Sequence, residues 1–217
     1  MAWLTDKTED VTNTFTVGDI NIGLTETTGA EYPFVPGDTL AKDPKVTVTA
    51  GSEDCWLFIK VLDANNSIDD SNNNNKIVNW VVNTRIWTPV QDHPGFWYKS
   101  VDKGTGADGF SVFTDLITTD NYIGSVKISD KVTKEMVEEI NDTTKPTIQV
   151  TAAAVQRKNL ADEQPAAGAS ADEIAAVEAR NVAAAWAELS ESFTSTTIVT
   201  TTPDSGAGDA GSGDTTP

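Results

Sequence analysis

The residues of this chain whose types and spacing could do chemistry are few and scattered. His93 is the sole histidine. A His-Glu-x-x-His zinc site, or any site that needs two imidazoles, cannot be assembled from this sequence. A Ser-His-Asp triad would have to use His93 as its base, yet His93 stands in Asp92-His93-Pro94-Gly95, a turn sequence without the partners that general-base work requires. Gly104-Thr105-Gly106-Ala107-Asp108-Gly109 has the spacing of a G-x-G-x-x-G phosphate loop but no βαβ surroundings, so it reads as a flexible hairpin turn.

Asp63, Asn65, Ser67 and Asp69 set oxygen-bearing side chains at every second position, as the start of a calcium loop does. Ile68 stands where an EF-hand needs glycine, and Asn74 where it needs a bidentate glutamate, so a plain solvated loop is the competing reading. Calcium is the one cofactor this pattern raises. Asn65-Asn66-Ser67 and Asn141-Asp142-Thr143 match the glycosylation pattern, as chance alone allows in an asparagine-rich chain. Cys55 is the only cysteine, so no intrachain disulfide can form, and its place in an apolar run makes it a packed structural thiol.

The elements that would position these residues are mainly strands. Val11 to Leu24 alternates, with Val11, Phe15 and Val17 on one parity and Ile20, Ile22 and Leu24 on the other. The phase flips at Gly18-Asp19, which predicts a bulge or a strand that crosses between sheets. Further strands are expected at Val46 to Ala50, at Cys55 to Leu62, Ile77 to Val82, Thr84 to Thr88, Gly95 to Val101, Gly109 to Ile117, Tyr122 to Ile128 and Thr147 to Gln156. The Cys55 run is apolar on both parities, which places it centrally in a sheet. Asp63 to Asn75 reads as a mobile polar loop.

Two helices interrupt the strands: a short one over Thr133 to Ile140 with Thr133 as its cap, and an alanine-rich one from the capping box Ser170-Ala171-Asp172-Glu173 to about Leu189. Thr196 to Thr201 could form a strand, and Asp204 onward reads as disordered. The pattern indicates an all-β sandwich or barrel with two added helices. Its divisions are an arm over 1–10, a sandwich over 11–158, a helical insertion with a closing segment over 159–193, and a flexible tail over 194–217.

At 217 residues the chain is long enough to bury a real core. It carries 33 acidic against 15 basic residues, a net charge of -18, which makes nucleic acid and anionic membranes poor partners. The same charge serves solubility, or makes association between copies depend on salt or calcium. No apolar run is long enough to cross a bilayer, and no basic head followed by an apolar stretch marks a signal peptide. Of the six tryptophans, Trp56, Trp80, Trp87, Trp97 and Trp186 fall on expected elements, as core or as a carbohydrate-stacking face. Trp3 instead lies in the terminal arm.

Several segments, in order, resemble the camelysin/TasA-like family of secreted bacterial fibre proteins. They are Ala2-Trp3-Leu4-Thr5-Asp6, Thr12-Asn13-Thr14-Phe15-Thr16-Val17-Gly18-Asp19-Ile20, Pro36-Gly37-Asp38, Lys42-Asp43-Pro44, Cys55-Trp56-Leu57-Phe58-Ile59-Lys60-Val61, Ala154-Val155-Gln156 and Ala184-Ala185-Trp186. The resemblance implies a jelly-roll-type β-sandwich, secreted to the cell surface or biofilm matrix, with Met1 an initiator added before a mature Ala2. It implies a homopolymer in which the donor strand Ala2, Trp3, Leu4, Thr5 and Asp6, running on to about Asp10, completes the sheet of the adjacent subunit. The stretch from Leu160 to Ala183 looks inserted relative to that family. The metallopeptidase activity that the name camelysin carries would need ligands this chain lacks, so the expectation is a non-enzymatic fibre subunit. The alternative is a monomeric surface-binding module.

An arm of nine extended residues reaches roughly 30 Å, enough to span a strand of a neighbour. Burying Trp3 and Leu4 would contribute about 1.5–3 kcal/mol each. Three arrangements of the arm remain open at this point: donation to a neighbour, pairing with its own domain, or fraying.

Overall fold

The computed structural model describes residues 3–5, 20–27, 31–68, 75–114, 116, 124–141 and 143–194. The parity flip at Gly18-Asp19 and the expected strand at Thr196 to Thr201 lie outside them.

The fold is organised by two long strands, β6 (Cys55–Ala64) and β12 (Thr147–Gln156), which pair antiparallel over ten positions from Cys55↔Gln156 to Ala64↔Thr147. Cys55 to Ile59 of β6 and Ala152 to Val155 of β12 are apolar and buried on both parities because both faces of the sheet are covered there. β9 (Phe96–Val101) flanks β6 on its other side and β8 (Thr88–Pro89) closes the sheet, giving the order β12-β6-β9-β8. β6 is therefore central, as its composition predicts.

One face of this sheet, made by Cys55, Leu57, Ile59, Val61, Ile148, Val150, Ala152 and Ala154, packs into the main core. Opposite it lie two three-stranded antiparallel sheets. The first has the order β10-β5-β2, from β2 (Ile22–Thr25), β5 (Lys45–Val48) and β10 (Phe110–Ser111). The second has the order β4-β11-β7, from β4 (Thr39–Ala41), β7 (Val78–Asn79) and β11 (Ser125–Ile128). Val46, Val48, Leu24, Val78, Val126 and Ile128 are their contributions to the same core.

Backbone hydrogen bonds stitch the two small sheets together, from Asn83 N to Val112 O at 2.8 Å and from Thr114 N to Val81 O at 3.0 Å, while Lys42 N to Gly124 O at 2.7 Å extends the β4–β11 ladder. Gly124 is needed at the end of that ladder, because a Cβ there would stand 2.4 Å from the Lys42 carbonyl oxygen. The chain is thus a β-rich, sandwich-like fold. A separate two-stranded sheet pairs β1 (Trp3–Thr5) with β3 (Glu31–Pro33).

The other face of the four-stranded sheet is covered by α2 (Ala171–Thr194), capped as its sequence predicts. The Ser170 hydroxyl accepts from Glu173 N at 3.3 Å and Ser170 N donates to the Glu173 carboxylate at 2.7 Å. Val182, Ala185 and Leu189 recur on one side of the helix and pack on Trp56, Phe58, Tyr98, Ala153 and Val155. The helix therefore packs on the sandwich as a third layer. The short helix α1 (Lys134–Glu139) has Thr133 as its N-cap.

Two expectations are corrected. Thr84 to Thr88 is mostly a turn, because Ile86 N and Trp87 N both donate to the Asn83 carbonyl and Arg85 N donates to Asn83 Oδ1. Asp63 and Ala64 belong to β6, paired with Ile148 and Thr147, and only past them does the polar loop begin.

Candidate functional site: the arm ladder and its root

β1 and β3 pair in register Trp3↔Pro33, Leu4↔Tyr32 and Thr5↔Glu31. Within the single chain the arm is thus self-paired, one of the three arrangements open to it. Ala2 and Asp6 of the expected donor strand lie outside the described residues.

The segment that carries β3 and β4 runs from Glu26-Thr27 to Lys42-Asp43, and these four residues clasp its two ends together. Lys42 Nζ lies 3.1 and 3.2 Å from the two Glu26 carboxylate oxygens, with the side chains only 4% and 3% exposed. Thr27 donates its N–H to Asp43 Oδ1 at 3.0 Å and its hydroxyl to Asp43 Oδ2. Burial pushes the Lys42 ammonium down to about 8, against the pull of the Asp43 carboxylate. Sequence reasoning missed this cluster, since charged residues read as surface. The one available signal was a Lys-Asp-Pro run joining two strands without a turn glycine.

The calcium candidates are partly brought together. A recess is lined by Asp63, Asn65, Asn66, Ser67 and Lys76, among others. Asp63 Oδ2 accepts from Lys76 Nζ at 2.5 Å, Asn66 Nδ2 at 3.0 Å and Trp80 Nε1 at 3.1 Å. Burial alone would raise the Asp63 carboxyl, but the bonds from Lys76, Asn66 and Trp80 outweigh it and hold the group below its ordinary value. Asn65, at φ 54°, turns its amide nitrogen to the carbonyls of Thr143 and Lys145 at 3.0 and 3.2 Å. Ser67 bridges to Lys76 in the backbone, and Asp69 lies outside the described residues. A cation at Asp63 would have to displace the Lys76 ammonium.

The remaining chemical candidates have packing roles. The His93 ring lies 4.5 Å from that of Trp186, and Gly106 and Gly109 close a tight turn through Gly109 N to Gly106 O at 3.1 Å. Cys55 is fully buried, and burial pushes its thiol up to about 12. Trp56 and Trp87 are buried, while Trp80 and Trp97 pack edge to face on one another. No tryptophan is among the exposed large apolar side chains of the described residues, which are Val35, Leu62, Val81, Leu160 and Ile174.

Among the described residues no helix is long and apolar enough to cross a membrane. A scan against protein-family models finds no matching family, and a search of curated proteins finds no match.

Proposed function

We propose that this chain is a structural, non-enzymatic subunit of a secreted bacterial filament, a jelly-roll-type sandwich that polymerises head to tail by passing its N-terminal arm to the next copy. The observation that carries this proposal is the arm ladder. Three paired residues in a two-stranded sheet hold a strand only marginally, so the arm can be surrendered for a longer ladder on a neighbour.

An edge that could receive it exists. β12 ends the four-stranded sheet and, among the described residues, pairs with β6 alone, while β2 ends one facing sheet. An added strand at β12 would gain main-chain hydrogen bonds along ten residues. A contact of this kind is heterologous and propagates as an open fibre. The net charge of -18 would oppose stacking of copies at low salt and relax as salt screens it.

Negative-stain electron microscopy of the chain beginning at Ala2, beside one lacking Ala2 to Asp10, tests the proposal. Filaments from the first and none from the second support it. Monomers from both, across concentration and salt, would remove it in favour of a monomeric surface-binding module.

A further inference from the structure

The Lys42–Glu26 pair differs from the other ion pairs between described residues, which lie at or near the surface. A buried ammonium and carboxylate lose their hydration, and their mutual attraction repays that loss only in part. Two changes relieve the cost: transfer of the proton to give a neutral amine and acid, and condensation of that neutral pair.

Close contact and exclusion of water, which the second requires, are both present. Lys42 Nζ is almost equidistant from the two Glu26 oxygens, 3.1 and 3.2 Å, a bidentate contact that holds the nitrogen against the carboxyl group. Neighbouring bonds hold both partners there: Thr27 to Asp43 on one side, and Lys42 N to Gly124 O on the other. Water, which in solution keeps amine and acid ionised and drives hydrolysis, is excluded at 4% and 3% exposure.

We propose that Lys42 and Glu26 condense to an intramolecular isopeptide bond. The ammonium first passes a proton to the carboxylate. The freed lone pair on Nζ attacks Cδ, the N–Cδ bond forms, and a Cδ–O bond breaks. The second nitrogen proton leaves with that oxygen as water, so no oxidant, reductant or co-reactant is consumed. The lowered basicity of Lys42 makes the neutral amine accessible near neutral pH. The product closes a covalent loop from 26 to 42 that encloses β3, so the root of the arm's partner strand stays fixed whether or not the arm is in place. The bond does not depend on filament formation.

Intact-mass spectrometry of the denatured, full-length chain tests this without any variant. The bond lowers the mass by one water, about 18 Da, relative to the sequence. Trypsin should then leave the peptide Thr8–Lys45 uncleaved at Lys42, with no backbone fragments between 26 and 42. Lys42→Arg, which cannot form the bond, should carry its full sequence mass even if it is unfolded. A wild-type chain at full mass with Lys42 cleaved overturns the proposal. So does a water loss that maps elsewhere, for example to a succinimide at Asp108-Gly109.

Discussion

The indole N–H of Trp56 donates to the carbonyl of Ala161 at 2.8 Å, joining β6 to the segment that leads into α2. The same segment is gripped from the helix side. Asn181 exchanges hydrogen bonds with the backbone of Glu163 at 3.0 and 2.9 Å, and Arg180 pairs with the Glu163 carboxylate. Helix α2 is thereby strapped onto the outer face of the sheet, which explains how Cys55 to Ile59 and Ala152 to Val155 can be buried on both sides.

Trp56→Phe keeps most of the apolar contact but leaves the Ala161 carbonyl, on a residue 2% exposed, without that donor. The expected loss is about 1–3 kcal/mol. It should appear in a denaturant titration, with amide exchange accelerating in α2 before it does in β6.

Gly124→Ala places a methyl 2.4 Å from the Lys42 carbonyl oxygen and 3.0 Å from Phe113 Cβ, at the end of the β4–β11 ladder. Backbone cannot yield cheaply there, so a cost of about 3 kcal/mol or more is expected. Thermal unfolding should show it. Gly51→Ala, a change in open space at φ 95°, carries backbone strain only and is the comparison.

Asp63 gives a pH dependence whose sign follows from its partners. Its folded carboxyl is held below the unfolded value, so its stabilisation is present above the unfolded pKa and is lost as pH falls through the folded one. Wild type should exceed Asp63→Asn in stability at neutral pH. The gap should close as pH drops below about 4. A gap that stays constant with pH would mean that Lys76, Asn66 and Trp80 do not act on the charge.

The parts of the fold legible in sequence are those where one signal dominates. The unbroken apolar run of Cys55 to Val61 marks a strand buried on both faces, and Ser170 with Glu173 marks the start of a helix. What covers the outer face of that strand was not legible, because the Ala-rich α2 offers mostly short side chains and its seat depends on Trp56 finding Ala161. Thr84 to Thr88 looked like a strand from its β-branched residues, but Asn83 turns the chain first. The Glu26–Lys42 clasp was invisible because burial of a charge is a property of the assembled sheets, and nothing local announces it. The partner of β1, the three-residue β3, was not legible.

Arm exchange is tested most directly by fastening the arm to its own chain. Leu4 and Tyr32 are register partners, so Leu4→Cys with Tyr32→Cys can form a disulfide that holds β1 on β3, and the buried Cys55 thiol, pushed up to about 12, will not compete. Filament mass is then followed by light scattering and electron microscopy in the oxidised and reduced states. Monomers when oxidised, and filaments once the disulfide is reduced, are the predicted result; equal filament formation in both states would contradict polymerisation by a donated arm.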